Sequence, residues 1–306
     1  MRGKIVLLFV LVIGMVACKT SSNVAEPKVF EELPHALLWE ISGSDLSEPS
    51  YLFGTIHLIT KEDFYWPKGT LAAFEDADDV VFEIDMDDMF DLGAQMSLLT
   101  KAFMKDGLSL KDLYSPEDYE LVKSHFDGMG IPLFFLERLK PMFLTVFASG
   151  DVDVSAGLSG ESNMRSYEME IYDLSQQSMK EVGGLESIEF QMSVFDSIPY
   201  KDQADILLET IKSSDVEDDA FKMMVDMYKS QDINAMVSSL EEDDSVGSYE
   251  DILLNNRNKN WIPVMQDMMR NGQVFFAVGA GHLGGEEGVI NLLREAGYTL
   301  SPISNN

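Results

Sequence analysis

Apolar residues gather in five short runs separated by long stretches of mixed pattern. The runs are Leu37-Leu38-Trp39-Glu40-Ile41, Tyr51 to Thr55, Val80-Val81-Phe82-Glu83-Ile84, Lys180 to Glu186, and Gln273 to Val278. Their length and their β-branched and aromatic content predict strands. The turn-rich Ser/Gly/Pro stretch after the first run predicts a hairpin to the second. A last run, Tyr298-Thr299-Leu300, is expected to pair beside the fifth.

Between the runs the spacing turns helical. Leu71 to Ala77 predicts a helix joining the second and third strands as a βαβ crossover. Glu286 to Ala296 predicts an amphipathic helix stopped by Gly297. Residues 88–178 and 187–271 are predicted to be mostly helical, with helices at Pro116–Phe126, Phe134–Ala148, Tyr167–Ser178, Ala204–Ser213, Val216–Lys229 and Asn260–Arg270. The 19 methionines are spread over these segments, where they fill adaptable cores. Strands alternating with helices predict an α/β fold: a mainly parallel central sheet with flanking helices and a large helical insertion or cap.

The first residues have a different character. Arg2 and Lys4 make a basic start, and Ile5 to Val16 is apolar apart from Gly14, too short for a membrane span. Met15-Val16-Ala17-Cys18 follows, which resembles the signal of a bacterial lipoprotein. Residues 1–17 are therefore expected to be a signal peptide. Residues 18–35 would be a lipidated Cys18 with a flexible tether, and residues 36–306 the α/β domain, with helical insertions near 88–178 and 187–271. Cys18 is the only cysteine, so the mature chain has no internal disulfide. A lipid on Cys18, palmitate among its acyl groups, would hold the protein on a membrane of the bacterial cell envelope, facing the periplasm or the surface.

Among 306 residues, 53 Asp and Glu stand against 22 Lys and Arg, a net charge of -31. Such a surface repels phosphate backbones and excludes nucleic acid as a partner. The 45% hydrophobic content is enough for a core and excludes global disorder.

Two of the four histidines occur in matching settings. Gly54-Thr55-Ile56-His57 closes the second run and Gly279-Ala280-Gly281-His282 closes the fifth. Ligands of open α/β sheets bind beyond the carboxyl ends of the strands. His57 and His282 fall there, as do Glu83 at the end of the third run and Glu186 at the end of the fourth. The glycines are expected to permit sharp strand exits and close approach to a ligand. Two imidazoles with one or two carboxylates suit a divalent transition metal. Such a metal polarises a carbonyl and acidifies a bound water, and a further carboxylate can take the water's proton. Other chemistries lack their motifs: there is no Gly-x-x-x-x-Gly-Lys-Ser/Thr, no Gly-x-Ser-x-Gly and no His-Glu-x-x-His. His35 and His125 fit structural or exposed positions.

Several separated segments carry a family resemblance. They are Leu38-Trp39-Glu40-Ile41, Ser50 to His57, Val81-Phe82-Glu83-Ile84, Gly184-Leu185-Glu186 with Gln191, Arg257-Asn258 with Trp261, Val278 to Gly285, and Gly297-Tyr298 with Pro302-Ile303. In this order, over roughly residues 36–303, they resemble the TraB/GumN family, which includes the TIKI proteins of animals. The resemblance implies a fold similar to that of erythromycin esterase and the haem-uptake protein ChaN. It implies a site made of the two Gly-x-x-His histidines and acidic residues. For the TIKI branch it implies metal-dependent proteolysis of extracellular peptides. His57, Glu83 and His282 carry over first, then Glu186, Arg257 and Asn258. Lys140-Pro141-Met142 departs from the family, with methionine where an aromatic is common.

The expectation is thus a lipid-anchored envelope hydrolase, a metal-dependent peptidase acting on a peptide or other small envelope substrate. A divalent metal (manganese, cobalt or zinc) would be held by His57, His282 and Glu83, with Glu83 alternatively the general base. Glu186 would be the other carboxylate. Arg257 would steady a substrate carboxylate or oxyanion with its planar fork, and Asn258 would orient that group. Two other readings stand beside this one: a non-catalytic peptide- or ligand-binding lipoprotein, and a metal-independent hydrolase using His and Glu.

Overall fold

A computed structural model describes residues 32–304, apart from Ser44 and residues 149–162, 215–216 and 242–246. The expected signal peptide, Cys18 and most of the tether lie outside the described residues. Among the described residues eight strands follow one another: β1 (Leu38–Ser42), β2 (Ser50–Thr55), β3 (Ile59–Thr60), β4 (Asp79–Ile84), β5 (Met164–Arg165), β6 (Glu181–Glu186), β7 (Val274–Gly279) and β8 (Thr299–Pro302). Six of them form the central sheet in the order β6-β4-β7-β2-β1-β8.

Continuous burial explains which strands lie in the middle. Every residue of β2 is buried, and every residue of β7 except its last. A strand covered on both faces reads as an unbroken apolar run rather than an alternating one. β2 and β7 pair in parallel from Tyr51 with Phe275 to Thr55 with Gly279. On the other side of β7 lies β4, with Asp79 opposite Val274 and Phe82 opposite Ala277, and β6 pairs in parallel beyond β4. β1 turns back on β2 as the expected hairpin. β8 then pairs antiparallel with β1, Trp39 opposite Pro302, so β1 alone runs against the rest.

The last run therefore does not pair beside Gln273–Val278. Both sides of β7 are already taken by β2 and β4, which leaves the outer side of β1 for β8. The helix Thr70–Asp76 carries the chain from β2 to β4 as expected, stepping over the position that β7 fills. The pair β3–β5 was not foreseen. Each strand has two residues, too few for a period to register.

The helical stretches build a second core. Met104, Leu110, Val122, Phe126, Leu133 and Leu144 pack against Ala204, Leu207 and Ile211 of the helix Tyr200–Ser214. The helix expected over Phe134–Ala148 is instead a 3-10 turn, Leu133–Phe135, and a helix, Pro141–Ala148. Pro141 explains the break, because proline disfavours helical backbone in the residue before it and suits a first turn. Lys140, buried, pairs with Asp196, which also accepts from Lys105 Nζ at 3.0 Å. No helix among the described residues is long and apolar enough to cross a membrane.

An aromatic cluster braces the exit of β2. Tyr167 packs on Phe53, Phe64, Trp66 and Tyr228 with ring centroids 4.6 to 5.8 Å away. The Tyr228 hydroxyl donates to the Gly54 carbonyl at 3.0 Å. The first glycine of each Gly-x-x-His acts through space rather than through a left-handed φ. A Cβ on Gly54 would stand 2.9 Å from Leu283 Cδ2 and 3.2 Å from Ala280 Cα, and one on Gly279 would stand 3.2 Å from Glu83 Oε1. Gly54 is thus what lets the two motifs touch. Gly54→Ala is expected to cost about 1–3 kcal/mol through overpacking. Urea unfolding checks it, and a cost below about 0.5 kcal/mol, the usual range of a harmless surface change, would show that the 280–283 turn yields freely.

Candidate functional site

The helix Asn256–Asn271 supplies one wall of the site. Asn258, Trp261, Met265 and Met269 recur every three or four residues and are buried, so one face lies on the protein interior. A π-turn, Asp251–Asn255, leads into it, which puts Arg257 and Asn258 in the first turn. Trp261 follows Arg257 by one turn, with the guanidinium 5.0 Å from the indole ring.

Arg257 is the hub. Its Nε donates to Glu186 Oε1 at 2.9 Å, and one terminal nitrogen donates to the same oxygen at 2.7 Å and to Glu83 Oε2 at 2.6 Å. The other terminal nitrogen donates to the Leu253 carbonyl at 3.0 Å and lies 3.2 Å from His282 Nε2. Five contacts match the five N–H groups of a guanidinium, so the fork is fully committed within the protein. Glu186 is closed on its other side by Trp261 Nε1, which donates to Oε2 at 3.0 Å.

Glu83 Oε1 accepts the backbone N–H of Gly279 at 2.9 Å, and Oε2 also accepts from Gln191 Nε2 at 3.4 Å. Burial would raise this carboxyl, but the charges of His282, Arg257 and His57, with the Gly279 N–H, outweigh it and hold the pKa at about 2. Glu83 is therefore ionised at neutral pH.

The tautomer of His282 follows from its neighbours. Arginine has only donors, so Nε2 accepts from Arg257 and the ring proton sits on Nδ1, 2.6 Å from Asn258 Oδ1. Asn258 Nδ2 in turn donates to the Glu287 carbonyl at 2.9 Å. Burial drives the His282 pKa down to about 4, Arg257 and His57 adding to burial against the opposing pull of Glu83, so this imidazole is neutral at neutral pH.

His57 stands on the same edge, because Thr55 and Gly279 are partners in the sheet, and its charge is felt by both Glu83 and His282. It differs in setting. Its side chain is 67% exposed, and its Nδ1 lies 3.0 Å from Glu168 Oε1. Glu168 also accepts from Thr55 Oγ1 at 2.7 Å and from Ser166 Oγ at 2.8 Å. Burial would raise Glu168, but His57 and the two hydroxyls prevail and hold it below the usual carboxylate range.

The sequence-derived residues thus divide. Glu83, Glu186, Arg257, Asn258 and His282 join in one hydrogen-bonded cluster, and His57 belongs to a neighbouring one. Cys18 lies outside the described residues. Glu168 was missed: it belongs to no motif and opens an ordinary helix, with only Ser166 before it as a capping signal. Gln191 and Trp261 drew notice only as parts of the family likeness. Gly279-Ala280-Gly281-His282-Leu283-Gly284 also spells Gly-x-Gly-x-x-Gly after a strand. In a dinucleotide fold such a turn leads straight into a helix whose N–H groups hold phosphate. Here the Gly279 N–H holds Glu83, only a single 3-10 turn, Ala280–His282, follows, and the next α-helix begins at Val289.

As a metal shell the cluster does not fit. Among the described residues no group of three His, Cys, Asp or Glu side chains is placed to hold a metal ion. Arg257 stands at Glu83, Glu186 and the Nε2 of His282, bringing positive charge to the atoms a cation would need.

Comparison with known proteins gives the site a context. The model of the TraB/PrgY/gumN family matches residues 37–302. Metalloprotease TIKI2 of Danio rerio is 22% identical over an alignment 344 positions long, covering 91% of this chain and 63% of that protein. Metalloprotease TIKI1 of the same species is also 22% identical, over 86% of this chain and 62% of the relative. Metalloprotease TIKI2 of Xenopus tropicalis is 24% identical, over 89% and 60%. The chain therefore spans less than two thirds of the length of each of these relatives. No solved structure matches it.

Proposed function

The chain belongs to the TraB/PrgY/gumN family, and from that premise we propose that it is a hydrolase that cleaves peptides or other small substrates at the bacterial cell envelope. A lipid on Cys18 would hold it there. The single observation that supports catalysis is the gathering of Glu83, Glu186, Arg257, Asn258 and His282 at the carboxyl edge of the sheet, with His57 beside them. The relatives named metalloproteases make peptides the leading substrate class.

The side chains suggest a division of labour. Glu83, with its pKa at about 2, is a weak base at neutral pH. His282 offers its Nε2 to Arg257. His57, exposed at the edge, is then the proton acceptor. A water adds to the substrate carbonyl carbon and gives a proton to the His57 imidazole. The C–N bond breaks, and the imidazolium returns that proton to the leaving amine, which leaves an acid and an amine. Arg257 keeps Glu83 and Glu186 in place rather than meeting substrate, because its N–H groups are spent, and the carboxylates favour the imidazolium while it lasts.

A divalent metal, manganese, cobalt or zinc, on His57, Glu83 and His282 is the reading that the relatives' names invite. The arrangement around Arg257 does not fit it, so the steps above use side chains alone. Purified protein assayed on a peptide library tests both. His57→Ala is expected to lower turnover roughly 100-fold or more, and turnover is expected to survive complete chelation. Unchanged turnover in His57→Ala would remove the acid–base role. Turnover abolished by chelator, together with a stoichiometric metal lost in His57→Ala and His282→Ala, would restore the metal reading.

A further inference from the structure

We propose that Glu168 is a positioning residue that fixes the tautomer and the plane of His57. The inference rests on the reading of His57 as the proton acceptor and names what makes it competent.

Glu168 is held from three sides. Its Oε2 accepts from Ser166 Oγ at 2.8 Å, and its Oε1 accepts from Thr55 Oγ1 at 2.7 Å and faces His57 Nδ1 at 3.0 Å. The carboxylate is 15% exposed. It sits in the first turn of the 12-residue helix Tyr167–Ser178, where the helix dipole favours a negative charge. A carboxylate has acceptors only, so a neutral imidazole facing it must donate. The proton then sits on Nδ1 and the lone pair on Nε2, the nitrogen that can take a proton from water.

The surrounding backbone keeps the two partners in register. The small sheet pairs Ile59, two residues after His57, with Arg165, three residues before Glu168. The Tyr167 hydroxyl donates to the Tyr65 carbonyl, a second tie between the same two segments. The β3–β5 pair is a sheet of its own beside the six-stranded one, and this coupling gives it a role. His282 is handled in the same way, its Nδ1 tied to Asn258 Oδ1, so both imidazoles carry an anchored Nδ1 proton.

The test reads the tautomer directly. The full chain, labelled with 15N-histidine, is examined by long-range proton–nitrogen NMR, and the His57 signals are identified by their loss in His57→Gln. The ring is expected as the Nδ1–H tautomer in the unaltered protein and as the Nε2–H tautomer in Glu168→Ala. Turnover of a library peptide by Glu168→Ala should fall roughly 10- to 100-fold, with KM little changed. Glu168→Gln keeps a carbonyl oxygen for the Nδ1 proton and is expected to retain that tautomer and most of the turnover. An Nε2–H tautomer in the unaltered protein overturns the proposal, as does a tautomer that persists in a folded Glu168→Ala chain. The tautomer is read without substrate, so an inactive protein would sink the hydrolase reading and leave the positioning of His57 separately decided.

Discussion

Replacing Arg257 with methionine is expected to lower the unfolding free energy by about 3–5 kcal/mol, the usual cost of stripping one partner from a buried ionic group. The loss would be a fifth or more of the stability of an ordinary domain, which is about 5–15 kcal/mol. Methionine keeps an unbranched apolar stem against Trp261, so the change isolates the charge from the packing. It leaves Glu83 and Glu186, 14% and 5% exposed at their side chains, with their shared cation gone. It also removes the donor to His282 Nε2 and to the Leu253 carbonyl. Arg257→Lys should recover only part, because a point ammonium with three donors cannot serve four partners in one plane. Glu83→Gln placed in the Arg257→Met background should regain stability, since it removes one of the stranded charges. Urea titration of the four chains decides the matter. A loss under about 1 kcal/mol in Arg257→Met, the range of exposed ion pairs, would mean that the cluster is hydrated and is not the electrostatic centre described.

The second large effect is a loss of stability in acid. The His282 pKa falls from 6.5 to about 4 in the folded protein. A histidine lowered in this way binds its proton more readily when unfolded. Its contribution is complete above pH 6.5 and is lost as the pH drops toward about 4. The size is about 3 kcal/mol by the conversion of pKa differences to free energy. Glu83, lowered from 4.5 to about 2, extends the same trend: its contribution is present above 4.5 and disappears as the pH falls toward about 2. The two groups touch the same arginine and titrate as one system. Unfolding free energies of the unaltered chain and of His282→Asn, compared across this range, isolate the upper limb from the many surface carboxylates. The difference between the two curves should narrow as the pH falls from 6.5 to 4. Parallel curves would show that His282 is not held neutral by its surroundings.

What the sequence conveyed depended on whether the information was local. Leu38–Ser42, Ser50–Thr55, Asp79–Ile84, Glu181–Glu186 and Val274–Gly279 all lie within a residue or so of the runs read from the sequence, and in Ser50–Thr55 and Val274–Gly279 burial on both faces writes itself into consecutive positions. Partner choice is not local, and so β8 was expected beside β7 instead of β1. The site divides in the same way. Glu83, Glu186 and the two histidines are legible because strand ends and repeated glycines mark them. Arg257 and Asn258 were found through the family likeness, and the saturation of the guanidinium could not be anticipated from its identity. Glu168 had no signal beyond a helix start. Its significance arises from Thr55 and His57 more than a hundred residues earlier in the chain.

The position of β7 bears on how the molecule is made. It lies between β4 and β2 at the centre of the sheet, yet nearly all of the chain is synthesised before Val274 appears. Until then β2 and β4 each present an unpaired ladder of backbone donors and acceptors, which invites pairing with other chains. The sheet cannot close during vectorial synthesis, and pairing over such separations is slow. A ribosome stalled ahead of residue 274 would therefore release an aggregation-prone chain, and a holdase that shields those ladders should raise the yield of native protein more than any catalyst of proline isomerisation.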